Sequence, residues 1–250
     1  MVRAILNGCN GAMGRVITDM ISTDDEIEII AGVDMNTTIR ADYPVYQTLK
    51  ECPAADVVID FSVAKATDGV VAYCKETGTP VVLCTTGLSK EQLARVRELS
   101  ETTAVLRSAN MSVGINLLFK VLAEVAPVLK NAGFDIEILE KHHNQKIDAP
   151  SGTALALADV INESLNNSCH YKYDRTKEHV KREKTEIGIQ SMRGGTVVGE
   201  HDIMFAGQDE VITFTHTAYS KAIFGKGAVQ AAKFLAGKEP GMYDMSDVIG

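Results

Sequence analysis

The chain has 250 residues, ordinary globular proportions of hydrophobic (45%) and charged (23%) residues, and a formal net charge of −8 from 25 Lys+Arg and 33 Asp+Glu. That length supports one large domain or two smaller ones with a proper core. The acidic balance argues against a general nucleic-acid binder or an anionic-membrane partner, so any anionic ligand must be held by a local positive site.

The first hundred or so residues alternate short β-rich runs with amphipathic ones. VRAILN runs through a glycine turn into AMGRVITDMI; EIEIIAGV, DVVIDF, the helical AKATDGVVAYCKE, PVVLC, the helical SKEQLARVRELS and TAVLR follow. Strand and helix periods taking turns predict a parallel sheet with covering helices, a doubly wound α/β unit.

After Asn110 the pattern changes. Ile115, Leu118, Leu122, Val125 and Leu129 recur at spacings of three and four, which predicts a helix from Val113 to about Asn131 with Ser112 as its N-cap. FDIEILE is an alternating strand leading into EKHHNQKIDAPSGTA, and TALALADVINESL is the next helix. Residues 166–184 are polar and read as a solvated loop rather than a nucleic-acid patch, because acids interrupt the bases. TEIGIQSMR, TVVGEHDIMFA and EVITFTHTAY, joined by RGGT and GQD turns, predict an antiparallel meander. Arg193-Gly194-Gly195 reads as a hairpin turn and His201 and His216 as strand-face residues. The last segment predicts one amphipathic helix ending near Gly237 and a short tail. The change of pattern puts a domain boundary near residue 112.

No stretch approaches the roughly 18 consecutive apolar residues of a membrane span. MVRAILNGCNGAMG resembles neither a secretory signal nor a transit peptide. The five cysteines form no C-x-x-C pair, so neither a zinc cage nor a disulfide framework is expected, and the cytoplasm is the expected compartment. No H-E-x-x-H occurs, and the other histidines lack ligand spacing to His142 and His143, so no metal is expected.

Gly8, Cys9, Asn10, Gly11, Ala12, Met13 and Gly14 follow the first strand and enter a helix. Glycines there let backbone approach a pyrophosphate, and the helix start favours its charge. Asn10 stands at the second glycine of the G-x-G-x-x-G pattern, with Gly11 next. Asp34 ends the second strand, where a carboxylate accepts the ribose hydroxyls of a dinucleotide. Its charge opposes a 2′-phosphate, and Met35 and Asn36 supply no base, with Arg40 within loop reach but not adjacent. NADH is therefore expected in preference to NADPH. Two more strand ends, Cys84-Thr85-Thr86-Gly87 and Ser108-Ala109-Asn110-Met111, lie on the carboxyl edge, where small polar residues suit a nicotinamide and its ribose.

With hydride supplied by a nicotinamide, the protein must position an acceptor, stabilise charge and deliver a proton. His142, His143 and Lys146 offer the last two functions, and Ser151-Gly152-Thr153 opens a helix whose N–H groups can cradle a carboxylate. A strand continuing through both histidines would point them to opposite faces, so a shared site requires the strand to end there.

GCNGAMGR, DFS at 60–62, CTTG, SANMSVGIN, EKHHNQKIDAPSGTA, VGEHDIMF and the terminal YDMSDVI together resemble the 4-hydroxy-tetrahydrodipicolinate reductases of bacterial lysine and diaminopimelate synthesis, in order along essentially the whole chain. The resemblance implies a Rossmann-type dinucleotide-binding domain (1–112 and 221–250) and a smaller α+β substrate-binding and oligomerisation domain (113–220) with an open mixed or antiparallel sheet, assembled as a homotetramer. It implies NAD(P)H-dependent reduction of the dehydrated form of (2S,4S)-4-hydroxy-2,3,4,5-tetrahydrodipicolinate, a small dicarboxylate cyclic imine, to tetrahydrodipicolinate. His142 is then the proton donor and acceptor, Lys146 a second catalytic donor, and His143, Gly152 and Thr153 bind the substrate carboxylates. The cofactor contacts implied are Gly8 to Met13, Asp34, Cys84 to Thr86 and Ser108 to Met111. Cys84, Met111 and Lys221 stand where Gly, Phe and Arg are common in the family. The rivals are another two-domain nicotinamide oxidoreductase and a nucleotide-binding sensor without turnover; intact His142 and Lys146 argue against the sensor.

Overall fold

A computed structural model describes residues 1–38, 41–108, 110–176 and 178–250. In chain order the elements are β1 (Val2–Asn7), α1 (Ala12–Ile21), β2 (Ile27–Val33), β3 (Val45–Tyr46), β4 (Val57–Asp60), α2 (Thr67–Thr77), β5 (Val81–Leu83), α3 (Lys90–Leu99), β6 (Ala104–Leu106), α4 (Val113–Asn131), β7 (Asp135–His142), α5 (Gly152–Ser164), β8 (His170–Lys172), β9 (Glu186–Arg193), β10 (Gly199–Ala206), β11 (Val211–Ala218), α6 (Ala222–Leu235), β12 (Gly241–Tyr243) and α7 (Met245–Ile249). The chain divides into two compact units, Met1–Val113 with Ala222–Gly250, and Gly114–Lys221.

The first unit carries a seven-stranded sheet in the order β12-β6-β5-β4-β1-β2-β3, parallel throughout. Alternation along β1 sends Ala4 and Leu6 toward α1 and α6, and Ile5 toward α2 and α3. Burying a side chain the size of Ile5 or Leu6 contributes about 1.5–3 kcal/mol. The helices start and stop on local signals: Ser89 caps α3 by accepting from the Gln92 N–H at 3.2 Å, and Gly78 ends α2 at φ +70°. From β1 the chain builds outward through β2 and β3, then crosses to add β4, β5 and β6. The carboxyl ends of β1 and β4 thus flank the topological switch point where open α/β sheets bind ligands.

The second unit has a five-stranded sheet, β11-β10-β7-β9-β8, with α4 and α5 on one face. Leu122 and Ala126 of α4 and Leu157, Ala158 and Ile161 of α5 pack on Ile136, Ile138, Ile187, Ile189, Ile203 and Phe205. The opposite face has no covering helix among the described residues of this unit, and Met192 and Met204 are exposed on it.

Four expectations are corrected. The late strands are not a meander: β10 and β11 form an antiparallel hairpin, but β9 pairs parallel with β7, which lies between β9 and β10. Arg193-Gly194-Gly195 therefore makes no tight hairpin and instead crosses the end of β7, where the Gly194 N–H donates to the His142 carbonyl (2.9 Å) and the Asn144 N–H to the Gly195 carbonyl (3.2 Å). Residues 166–184 are not only loop, because β8 forms there, parallel to β9. Arg182 anchors that segment, donating to Asp135 Oδ1 at 2.7 Å, Glu137 Oε1 at 2.9 Å and the carbonyls of Ile136 and Glu186. The carboxyl-terminal tail is structured: β12 joins the parallel sheet beside β6, and α7 buries Met245.

Candidate active site

The glycine turn of the first unit is a cradle with no room for side chains. Gly8 has φ +83°, and a Cβ there would lie 2.5 Å from the Phe61 carbonyl oxygen at the end of β4. A Cβ on Gly14 would lie 2.3 Å from the Gly8 oxygen and 2.5 Å from that of Cys9. Gly11 is the N-cap of α1 and makes no side-chain cap, so the helix start faces outward as backbone. These features fit a dinucleotide pyrophosphate. A cleft of about 280 Å³ beside them is lined by Gly8, Gly11, Asp34, Phe61 and Ser62 among others.

Asn10, the departure from the glycine pattern, fastens this turn to the loop after β2. Its backbone N–H donates to Asp34 Oδ2 at 3.1 Å and its side-chain amide to the Thr38 carbonyl at 3.1 Å, while the Asn36 N–H donates to Asp34 Oδ1 at 3.0 Å. Asp34 is thereby fixed at the rim of the cleft. Cys9 is buried against Gly32, and burial first, then Asp34, pushes its thiol up to about 11, so it is a packing residue. Ala12 and Met13 begin α1. Arg40 and Ala109 lie outside the described residues.

Asp60, at the end of β4, is fully buried and ties the neighbouring strand ends together. Its Oδ1 accepts from Asn7 Nδ2 (2.7 Å) and Ser62 Oγ (2.6 Å), and its Oδ2 from Thr85 Oγ1 (2.7 Å). Thr85 is thus anchored, Cys84 half-buried beside it and Thr86 exposed. Ser108, Asn110 and Met111 follow β6; Asn110 Oδ1 accepts from the Ser112 N–H at 2.8 Å. The Met111 carbonyl sits where α6 passes so closely that a Cβ on Gly227 would lie 1.7 Å away.

In the second unit β7 ends at His142, and His143 falls outside the strand, which meets the condition for both histidines to serve one site. The Lys146 N–H donates to the His143 carbonyl at 3.1 Å, folding the chain back. Lys146 Nζ pairs with Asp148 at 2.9 Å. Asp148 is held below the usual carboxylate range, chiefly by its hydrogen bond with Lys146. Ser151 caps that helix, accepting from the Ala154 N–H at 3.1 Å, and the space over the Gly152 Cα is open. The Ala149–Pro150 bond of this turn is cis.

Sequence reasoning missed the residues behind His142. Glu140, fully buried, places Oε2 2.5 Å from His142 Nδ1, and Arg193 grips both carboxylate oxygens at 2.7 and 2.8 Å. His201 Nε2 lies 3.1 Å from Ser151 Oγ, and its ring meets that of His142 edge-on at 5.2 Å. Burial lowers the pKa of His142, with the neighbouring Glu140 opposing it; burial also lowers His201, to about 4. The i, i+2 spacing of Glu140 and His142 on a strand was a readable signal. Arg193 carried none, because its approach depends on β9 lying beside β7. Among the described residues one trio, His170, Glu183 and Glu186, has ligand atoms within 4.8 Å of one another, but Glu186 is already paired with Arg175.

No helix among the described residues is long and apolar enough to cross a membrane. Residues 2–111 match the family model "Dihydrodipicolinate reductase, N-terminus" and residues 114–249 the model "Dihydrodipicolinate reductase, C-terminus". A 4-hydroxy-tetrahydrodipicolinate reductase of Caldanaerobacter subterraneus subsp. tengcongensis is 52% identical over 250 residues, covering 100% of this chain and 98% of that one. One of Clostridium tetani is 48% identical over 246 residues, covering 98% and 96%. The dipicolinate-bound dihydrodipicolinate reductase of Paenisporosarcina sp. TG-14 shares the fold, with a TM-score of 0.83 at 24% identity and 100% coverage of both chains. On these matches the chain belongs to the 4-hydroxy-tetrahydrodipicolinate (dihydrodipicolinate) reductases, the oxidoreductase family of lysine and diaminopimelate synthesis.

Proposed function

We propose that the chain reduces the dehydrated, cyclic imine form of (2S,4S)-4-hydroxy-2,3,4,5-tetrahydrodipicolinate to tetrahydrodipicolinate, with NADH in preference to NADPH. The observation that carries this reading is the placement of His142 at the buried end of β7, near Lys146 and the start of α5. A dianionic substrate explains a local positive site in a chain of net charge −8.

When bound, the dinucleotide supplies a hydride at nicotinamide C4. His142 delivers a proton to the ring carbon beside the one that is reduced, and Lys146 is the second donor. His143, Gly152 and Thr153 bind the two carboxylates. One carboxylate takes over Lys146 from Asp148, the anion that pairs with it at 2.9 Å. Gly8, Cys9, Asn10, Gly11, Ala12 and Met13 hold the pyrophosphate, Asp34 the adenosine ribose, and Cys84 to Thr86 with Ser108 to Met111 the nicotinamide half. Asp34 repels a 2′-phosphate, the basis of the NADH preference. The uncovered face of the second sheet supports assembly into a homotetramer. Five free cysteines suit the reducing cytoplasm.

The test is cofactor oxidation followed by nicotinamide absorbance, with NADH and NADPH separately and with freshly generated substrate. Substrate-dependent oxidation is expected, faster per unit concentration with NADH. Cofactor binding without oxidation, beside a working control enzyme, would favour the sensor, and equal efficiency with both cofactors would sink the role of Asp34. In the His142→Gln variant turnover is expected to fall about 100-fold or more, with NADH affinity kept within about twofold.

A further inference from the structure

Glu140, fully buried, and Arg193, partly exposed, form a charge pair to which the proposed reaction assigns no task. Glu140 lies two residues before His142 on β7, so both side chains project from the same face of the sheet. Arg193 stands opposite His142 in the β7–β9 register and donates Nη1 to Oε2 at 2.8 Å and Nη2 to Oε1 at 2.7 Å. The Ser151 N–H adds a third donor, to Oε1 at 3.1 Å. A carboxylate so surrounded is ionised: burial alone would raise it, but Arg193, Ser191, His142 and Ser151 together hold Glu140 at about 2. An ionised carboxylate only accepts, so the hydrogen in the 2.5 Å contact with His142 belongs to Nδ1. In the neutral ring Nε2 then carries the free lone pair. Gly199 lies beside that nitrogen: a Cβ at Gly199 would stand 3.1 Å from Nε2 and 3.4 Å from Cδ2, so a side chain at that position would press on the ring.

We infer that Glu140 and Arg193 are positioning residues that lock His142 in its Nδ1–H tautomer, so that proton exchange with the substrate takes place at Nε2, the nitrogen that a side chain at position 199 would crowd. The inference rests on the reading of His142 as the proton donor. In the transfer, the Nε2–H bond of the imidazolium breaks and a C–H bond forms at the ring carbon next to the one that received hydride. The imidazole is left neutral, with Nδ1–H still donated to Glu140, and it regains its Nε2 proton from solvent. Arg193 balances the charge of Glu140, so the carboxylate orients the ring without trapping its proton. Lysine at 193 keeps the charge but grips one oxygen instead of two.

The full-length protein labelled with ¹⁵N-histidine, with dipicolinate as an unreactive dicarboxylate probe, tests this directly. Long-range proton–nitrogen correlation spectra above the His142 pKa, assigned by the signals missing in His142→Gln, are expected to show the Nδ1–H tautomer; the Nε2–H tautomer overturns the inference. Glu140→Gln is expected to lower kcat by about 30-fold, with KM and dipicolinate affinity within about threefold of wild type. Because Glu140 raises the pKa of His142, its loss also moves the alkaline fall of kcat to lower pH, by about one unit. Arg193→Lys is expected to lose less, about fivefold, with the alkaline fall unmoved. A uniform loss of kcat in Glu140→Gln with an unshifted profile means a structural role only and overturns the inference. So does wild-type turnover in Glu140→Gln while His142→Gln stays inactive. Undiminished turnover of His142→Gln overturns the underlying assignment instead, whatever tautomer the spectra show.

Discussion

Two fully buried carboxylates, Asp60 in the first unit and Glu140 in the second, meet the same physical problem differently. A buried carboxylate must have its oxygens satisfied or it is strongly destabilising. Asp60 takes neutral donors, from Asn7, Ser62 and Thr85, and binds strand ends to one another. Glu140 takes a guanidinium and an imidazole, and so is coupled to a group that titrates. The first arrangement builds a rigid platform beside a cradle made of backbone; the second tunes chemistry. The same contrast separates the candidate residues of the two units, glycines and a helix start in the first and paired charges in the second.

The contrast is broken most severely by placing a side chain in the backbone cradle. Gly14→Ala forces a Cβ against the carbonyls of Gly8 and Cys9 and is expected to weaken dinucleotide binding at least about 100-fold, measured by nicotinamide fluorescence, through loss of the close approach. Next in size, Asp60→Asn turns an amide toward donors and is expected to cost about 2 kcal/mol, roughly 6 °C in Tm. Unlike Glu140→Gln, it should leave the pH dependence of kcat unmoved; a shifted profile would erase the distinction between the two carboxylates.

The contrast is sharpened by acid sensitivity in the second unit. His201, neutral and buried, has its pKa lowered to about 4, below the unfolded value of 6.5. Between those values the unfolded chain binds the proton first, so stability falls as pH drops from about 6.5 toward 4. Glu140 adds its own loss only at lower pH, as the carboxylate protonates toward about 2. Hydrogen exchange should show earlier acid deprotection in β7 and β10 than in β1 and β4, and His201→Gln should flatten the upper part of that pH dependence. Equal deprotection of both sheets would show that the buried histidine does not set acid sensitivity.

Much of the fold was legible because its signals are local. The alternation of β-rich and amphipathic runs corresponds to the parallel sheet of the first unit, and the apolar spacing from Ile115 to Leu129 to α4, Val113–Asn131. The histidine stretch lies, as its turn residues indicate, between a strand and a capped helix. The meander expectation failed because consecutive strands were assumed to pair, whereas β7, some forty residues earlier in the chain, is inserted between β9 and β10. The tail was missed because a strand as short as Gly241–Tyr243 has no period of its own and forms only against β6. Asn10, which stands at the second glycine of the pattern, holds the loop that carries Asp34, a contact no local spacing announces.

By itself the sequence determined the alternating architecture, the glycine cradle, and the grouping of His142, His143, Lys146 and Gly152, because backbone permissiveness, helix capping and apolar period act over a few residues. Only the tertiary structure decided which charge stands behind His142. Arg193 reaches Glu140 because β9 runs parallel beside β7 and its connection crosses the end of that strand, a long-range register chosen by burial of the isoleucine face and not by any local spacing.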